Sequence, residues 1–230
     1  MYKDLFFDLD HTLWDFEKNS RETLLEAFER FGLREILNAS FDDFLMIYEG
    51  INHHLWERYR AGEISREFLR NHRFESVFSN WSVSDRPLVE AVSDYYVANS
   101  PRKVGLIDGV HEVLTILQKK YRLHIITNGF NEVQFTKISH SGLALYFTEI
   151  ITSEIAGVNK PHYDIFRHAI SLTGAMPASS LMIGDHWEAD IRGAANFGMD
   201  QVWFNPQGKE VPEPAPTYSI RTLKELIDFL

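Results

Sequence analysis

The sequence predicts an α/β protein: a parallel sheet covered by helices on both faces, with an all-helical domain inserted after the first strand. Three observations carry this. Beyond about residue 100, short apolar runs alternate with helical patterns, as strand–helix–strand units do. Residues 14–99 show only the three- and four-residue apolar spacing of helices and no strand-like alternation. Several apolar runs also end in polar, chemistry-bearing residues, the end at which open α/β sheets bind ligands. The expected division is a core of residues 1–13 and 100–230, and a helical cap of residues 14–99.

Composition narrows the partners. The 230 residues are 44% apolar and 24% charged, an ordinary globular balance. A formal charge of −10 argues against a nucleic-acid polymer, which needs clustered Lys and Arg, but not against a small phosphorylated ligand. With no cysteine, disulfides, thiol catalysis and Cys-based zinc sites are excluded. The ten histidines form no H-E-x-x-H or other zinc spacing. No basic leader followed by an apolar stretch and no spanning run is present, so the expectation is a cytoplasmic protein without a membrane partner, as a monomer or small homo-oligomer.

In chain order, Leu5, Phe6, Phe7 and Leu9 read as a buried strand. Leu24, Leu25, Phe28 and Phe31 mark a helix that Gly32 closes. Phe41 opens a second helix, through Ile47, Ile51 and Leu55, broken at Gly62. Ser65 caps a third, reaching about Phe78, and Arg86-Pro87 starts a fourth, through Val92 and Tyr96. Asp108-Gly109 leads into a helix with Val110, Val113, Leu114 and Leu117 on one face. Residues 123–126, 149–152, 181–183 and 201–204 are the next strands. Helices are expected at 131–141, from Pro161 to near Gly174, and at 191–197. After a Pro-rich segment, a short strand at 218–220 and a helix at 223–230 end the chain.

Asp8 and Asp10 stand at i and i+2 at the end of the first strand, on the same side because strand side chains alternate. Like charges so close are tolerated if a divalent cation offsets them or if one stays protonated. Thr127-Asn128-Gly129 brings hydroxyl, amide and backbone N–H groups to a second strand end, suited to a phosphate oxygen. Lys160, before Pro161, is a cation at a helix N-terminus, where it calls for nearby anions. Asp185 ends another apolar strand with Asp190 five residues on, and would stand beside Asp8 if those strands are neighbours. A few oxygen-only ligands are what Mg²⁺ takes.

Taken together, D-x-D-x-T, T-N, K-P and G-D-x4-D resemble the four motifs of the haloacid dehalogenase (HAD) superfamily, and the helical insert resembles its first-position cap. The resemblance implies a Rossmann-like, HAD-like core and phosphohydrolase activity with Mg²⁺ as cofactor. It casts Asp8 as nucleophile and metal ligand. Asp10 becomes the general acid/base, kept neutral by the crowded charge, and lends its backbone carbonyl to the metal. Thr127 and the backbone around Asn128 would bind phosphate, which Lys160 would steady together with Asp8. Asp185 would ligate metal, and Asp190 would act one layer behind or through bound water. Dehalogenases lack an aspartate at the position of Asp10, so its presence favours phosphoester hydrolysis. A phosphonate hydrolase would need a cap lysine, and residues 14–99 contain only Lys18.

Specificity should lie in the cap, where Asn52, His53, His54, Trp56, Tyr59 and Arg60, then Arg66, Arg70, His72, Arg73 and Phe74, group together. Trp56, Tyr59 and Arg60 share a helical face, and with Arg73 they are the candidate substrate contacts. Trp56-x-x-Tyr59-x-x-Gly62-x-Ile64, Arg73-Phe74, Thr127 to Phe130 with Gln134, and Ser153-Glu154 to Lys160-Pro161 are similar to the pyrimidine nucleotide 5′-nucleotidase branch. His186 departs from that branch, which often has a small hydroxyl residue there. The expected substrate is a pyrimidine nucleoside 5′-monophosphate. A sugar phosphate or other small metabolite, a phosphomutase reaction, and a non-catalytic phosphate sensor are the alternatives.

Overall fold

The computed structural model describes residues 1–230. The chain forms two compact units, residues 1–16 with 104–230, and residues 17–103.

The first unit is built on six parallel strands, β1 (Asp4–Phe7), β2 (Arg122–Thr127), β3 (Glu149–Thr152), β4 (Ser180–Gly184), β5 (Asp200–Phe204) and β6 (Tyr218–Ile220), in spatial order β3-β2-β1-β4-β5-β6. The order reverses between β1 and β4, so a crevice opens there at the strands' C-terminal ends. Around the sheet lie α6 (Val110–Leu117), α7 (Asn131–His140), α8 (Ser153–Ala156), α9 (Tyr163–Thr173), α10 (Gly193–Phe197) and α11 (Leu226–Phe229).

Period-2 alternation sorts the strand side chains into two cores. Leu5, Phe7, Leu123, Ile125, Leu181, Ile183, Val202 and Phe204 pack with Val110, Val113, Leu114 and Leu117 of α6 and with Leu226 of α11. On the other face Phe6, Ile126, Ile151 and Met182 meet Ile165, Phe166 and Ala169 of α9 and Ala194 of α10. Two covered faces explain why the strands read as near-continuous apolar runs.

The second unit contains α2 (Leu33–Leu37), α3 (Phe41–Arg60), α4 (Arg66–Ser79), α5 (Arg86–Asn99) and almost all of α1 (Phe16–Arg30). Ser40 caps α3 in a reciprocal box with Asp43, and the Ser65 hydroxyl accepts from Phe68 N at 3.1 Å to start α4. Leu24, Phe28, Phe44, Tyr48, Phe74, Phe78, Val92 and Tyr96 form its core. No helix of either unit is long and apolar enough to cross a membrane.

Some boundaries differ from expectation. The helix expected from Pro161 starts at Tyr163, because His162 supplies the cap by accepting from Asp164 N at 3.2 Å. The helix expected at Ile191 begins earlier, as a π-helical turn over Trp187–Arg192 that runs into α10. The unexpected α2 is only five residues long and lies between left-handed Gly32 and Asn38, too short for a periodic signal.

Candidate active site

Asp8 continues β1 by one residue, its N–H donating to Ile183 O at 2.8 Å, and its side chain closes into the sheet end at 8% residue exposure. The chain then folds back on itself. Leu13 N and Trp14 N both donate to Leu9 O, at 2.9 and 2.8 Å, and His11 takes a left-handed φ of 64°. This tight loop brings Thr12, fully buried, against β4: its hydroxyl donates to Asp185 Oδ1 at 3.2 Å and accepts from Asp185 N at 3.1 Å. The sequence reading gave Thr12 no role, yet it fixes the orientation of Asp185.

Lys160 lies between the aspartates. Its ammonium, on a residue 1% exposed, donates to Asp8 Oδ1 (2.6 Å), Asp190 Oδ1 (2.6 Å) and Ile126 O (2.7 Å), so all three of its N–H groups are used. The loop that carries it is riveted to the end of β2. The Asn128 side chain accepts from Lys160 N at 2.7 Å and donates to Lys160 O at 2.9 Å. The oxygen and one N–H of that carboxamide are thereby engaged by the backbone, which fixes the side chain and leaves the backbone N–H of Asn128 to offer an anion. Asp190 reaches the cluster because Gly184 has no side chain: a Cβ there would lie 2.3 Å from Asp190 Oδ2. That oxygen accepts from His186 N at 3.0 Å, and the His186 ring accepts from Ala189 N, capping the π-helical turn.

The structure thus brings Asp8, Lys160, Asp185 and Asp190 into one cluster, with Thr127 at the adjoining strand end. Negative charge exceeds positive charge in it. Burial, followed by repulsion from Asp8 and Asp190, holds the Asp185 carboxyl well above the ordinary value. Asp8 is pushed up to about 7, chiefly by burial and further by Asp190, against the lowering pull of Lys160. Lys160 is raised: burial opposes its charge, but Asp190 and Asp8 outweigh the burial. One carboxylate oxygen from each of Asp8, Asp185 and Asp190 lies within 4.8 Å of the others. Three hard oxygen donors with surplus negative charge fit a divalent cation of the Mg²⁺ type.

Asp10 corrects an expectation. It was expected to be neutral, yet both of its oxygens hold a donor: Lys137 Nζ on Oδ1 at 2.6 Å and Gln134 Nε2 on Oδ2 at 2.8 Å. Burial pushes this carboxyl up, but the Lys137 charge and hydrogen bond, with Gln134, prevail and keep it below its ordinary value. The carboxyls that burial and mutual repulsion raise above the ordinary value are Asp8 and Asp185 instead. Lys137 was not foreseen, although it and Gln134 stand three residues apart on α7 and therefore on one face.

In the second unit Trp56 and Tyr59 meet edge to face, ring centres 5.6 Å apart, on the helix that also carries Arg60. Arg73 is placed elsewhere, in the unit's interior at 7% exposure. It donates to Asn52 Oδ1 at 3.1 Å and lies over the rings of Tyr96, Phe74 and Tyr48 at 4.9, 5.5 and 5.8 Å.

Residues 5–204 match the family model described as haloacid dehalogenase-like hydrolase. The chain belongs to the haloacid dehalogenase-like hydrolases. Among its relatives, pyrimidine 5′-nucleotidase PynA of Streptococcus pneumoniae is 32% identical, covering 100% of this chain and 95% of the relative. Pyrimidine 5′-nucleotidase YjjG of Escherichia coli is also 32% identical, covering 98% and 96%. YfnB of Bacillus subtilis, assigned to the HAD hydrolases, has a crystal structure bound to magnesium. That structure superposes with a TM-score of 0.89 at 30% identity, covering 99% of this chain and 97% of that one.

Proposed function

We propose that this HAD-family hydrolase is a Mg²⁺-dependent phosphomonoesterase that works through an aspartyl-phosphate on Asp8, with a pyrimidine nucleoside 5′-monophosphate as substrate. The observation that carries the reading is the Asp8 carboxylate at the central strand end, with Oδ1 held by Lys160 and Oδ2 left for attack. Asp8 and Asp185, with the backbone carbonyl of Asp10 as a further oxygen and Asp190 acting behind them or through bound water, would hold the metal ion, which would offset charge between the nucleophile and the phosphoryl group.

Each remaining role follows from a named contact. Asp8 Oδ2 attacks phosphorus, the P–O bond to the leaving oxygen breaks, and one hard displacement becomes two easier ones. The Thr127 hydroxyl and the N–H of Asn128 receive the phosphoryl oxygens, while Lys160, its three N–H groups held by Asp8, Asp190 and Ile126, steadies the site through its charge. Asp10 delivers a proton to the leaving oxygen, then takes one from the water that hydrolyses the acyl-phosphate. The proton it delivers is the one taken from water in the preceding turnover, retained against the pull of Lys137 and Gln134 on this carboxyl. Asp190 holds Lys160 against Asp8.

The pyrimidine substrate rests on the two nucleotidase relatives, PynA and YjjG. Trp56, Tyr59 and Arg60, half-buried on one helix, are the candidate base contacts, and a cytoplasmic setting belongs to the same reading. The test is phosphate release from nucleoside monophosphates and sugar phosphates, with Mg²⁺ and with EDTA, beside Asp8→Asn. The expected result is metal-dependent turnover strongest on UMP, dUMP or dTMP and none in the variant. Turnover strongest on a sugar phosphate would keep the chemistry and move the substrate. No turnover with metal bound would leave a sensor.

A further inference from the structure

We propose that Lys137 and Gln134 are a positioning pair for the reaction: Lys137 holds the Asp10 carboxyl in its acid/base pose, and Gln134 ties that pose to the direction of the Thr127 hydroxyl. The proposal rests on the phosphomonoesterase reading.

The geometry of Lys137 is costly unless it serves something. Its residue is 4% exposed, and a buried ammonium is stable only when paired. The partner is Asp10 Oδ1 at 2.6 Å, and the ammonium lies over the Trp14 ring at 4.4 Å and the Phe16 ring at 5.7 Å. Trp14 and Phe16 belong to the same chain segment as Asp10. The loop after the nucleophile therefore builds the aromatic cradle for the cation that orients its own acid/base residue.

Gln134 is fully buried, and both protons of its amide nitrogen are spent, one on Asp10 Oδ2 at 2.8 Å and the other on Thr127 Oγ1 at 2.7 Å. Its carbonyl oxygen is buried without a donor. A buried amide left half satisfied is unfavourable, so this orientation is held by what its N–H groups accomplish. Thr127 Oγ1 also accepts from Gly129 N at 3.2 Å. Two donors occupy both acceptor positions of that hydroxyl, and its single proton is left to be donated. Gln134 thus leaves Thr127 a donor toward an anion at the strand end, while the same nitrogen fixes Asp10. The acid and the phosphate donor share one amide.

The two residues predict different kinetic signatures. Lys137→Met keeps the packing against Trp14 and Phe16 and removes the charge. On a nucleoside monophosphate, whose alkoxide must be protonated to leave, kcat should fall on the order of 10–100-fold with KM within about twofold. The first-turnover burst from p-nitrophenyl phosphate should stay within about threefold of wild type, because nitrophenolate leaves without a proton. Inhibition by inorganic phosphate should not change. Gln134→Leu should show the same leaving-group pattern and, in addition, weaken phosphate inhibition on the order of 5–10-fold, through the lost direction of Thr127.

Equal losses on the alkyl and aryl esters, or phosphate inhibition weakened equally in both variants, would overturn the proposal in favour of a purely structural role. A wild type that turns over normally beside variants that match it would overturn this pair alone. A wild type silent on every ester would remove the underlying hydrolase reading, and the pair with it.

Discussion

Replacing Lys160 with methionine leaves the Asp8 and Asp190 carboxyls facing each other with no cation between them. Both contacts are at 2.6 Å, and the side-chain exposures are 1% for Lys160, 11% for Asp8 and 1% for Asp190, so water cannot take over the role of the ammonium. Removing one partner of a buried charge pair costs about 3–5 kcal/mol. At roughly 2–4 °C per kcal/mol for a chain of this size, the melting temperature should fall by roughly 6–20 °C near pH 8 in EDTA. The sign of the pH dependence follows from the carboxyls. Asp8 already stands at about 7 with Lys160 in place, and removing the cation raises it further. A carboxyl raised by folding contributes stability in its protonated form, which is lost as pH rises through the raised value. The deficit of Lys160→Met should therefore shrink steadily from pH 8 to pH 5, and Lys160→Met/Asp190→Asn should recover most of it at pH 8. Thermal melts by circular dichroism at several pH values are the assay. A deficit under about 2 °C at pH 8, or one independent of pH, would refute the account of Lys160 as the counter-charge of this cluster.

Asp10→Asn should cripple turnover while leaving Mg²⁺ affinity, measured by calorimetry, largely intact; affinity lost in parallel with activity would contradict its assignment as acid/base. Gly129→Ala would set a Cβ 2.2 Å from Gln134 Nε2, displacing that side chain from Asp10 and Thr127. A displacement of that kind should lower kcat on the order of 10²-fold with a small change in melting temperature, and a variant of normal kcat would contradict the fit. His124 is fully buried, its Nε2 3.2 Å from Asp4 Oδ1 and its Nδ1 without a partner, and burial holds its pKa below the ordinary value despite Asp4. The folded state therefore resists protonation here. The stability His124 contributes should be present above about pH 6.5 and fall as pH drops below it, and His124→Phe should flatten that part of the stability profile.

The strands and the aspartates at their ends were legible because period-2 alternation and apolar run length are local properties. Asp8, Asp185, Thr127 and Lys160 each announce themselves as a polar residue closing an apolar run or preceding a proline. Their convergence needed only β1 beside β4 and β2, which the sheet order supplies. What stayed hidden was set by side-chain contacts over long sequence separations. Lys137 with Asp10, Thr12 with Asp185 and the missing Cβ of Gly184 above Asp190 have no local pattern. The ionisation of Asp10 is hidden for the same reason: the sequence shows the acidic Asp8 two residues before it, but its neighbours in space are Lys137 and Gln134.

The rivet between Asn128 and the Lys160 backbone also bears on how the protein ages. Asn128-Gly129 is the dipeptide most prone to spontaneous deamidation, in which the glycine nitrogen attacks the asparagine side-chain carbon and ammonia is lost. Here the carboxamide is fixed at both ends, and the Gly129 nitrogen is engaged by Thr127 Oγ1, so the ring-closing approach is blocked while the loop keeps its shape. Deamidation should proceed at the rate at which this loop opens. Once formed, an aspartate or isoaspartate at 128 could no longer donate to Lys160 O, and the loop carrying the buried ammonium would come loose from its anchor. Mass-spectrometric ammonia loss at this position would then act as a slow clock for local opening at the phosphate end of the sheet.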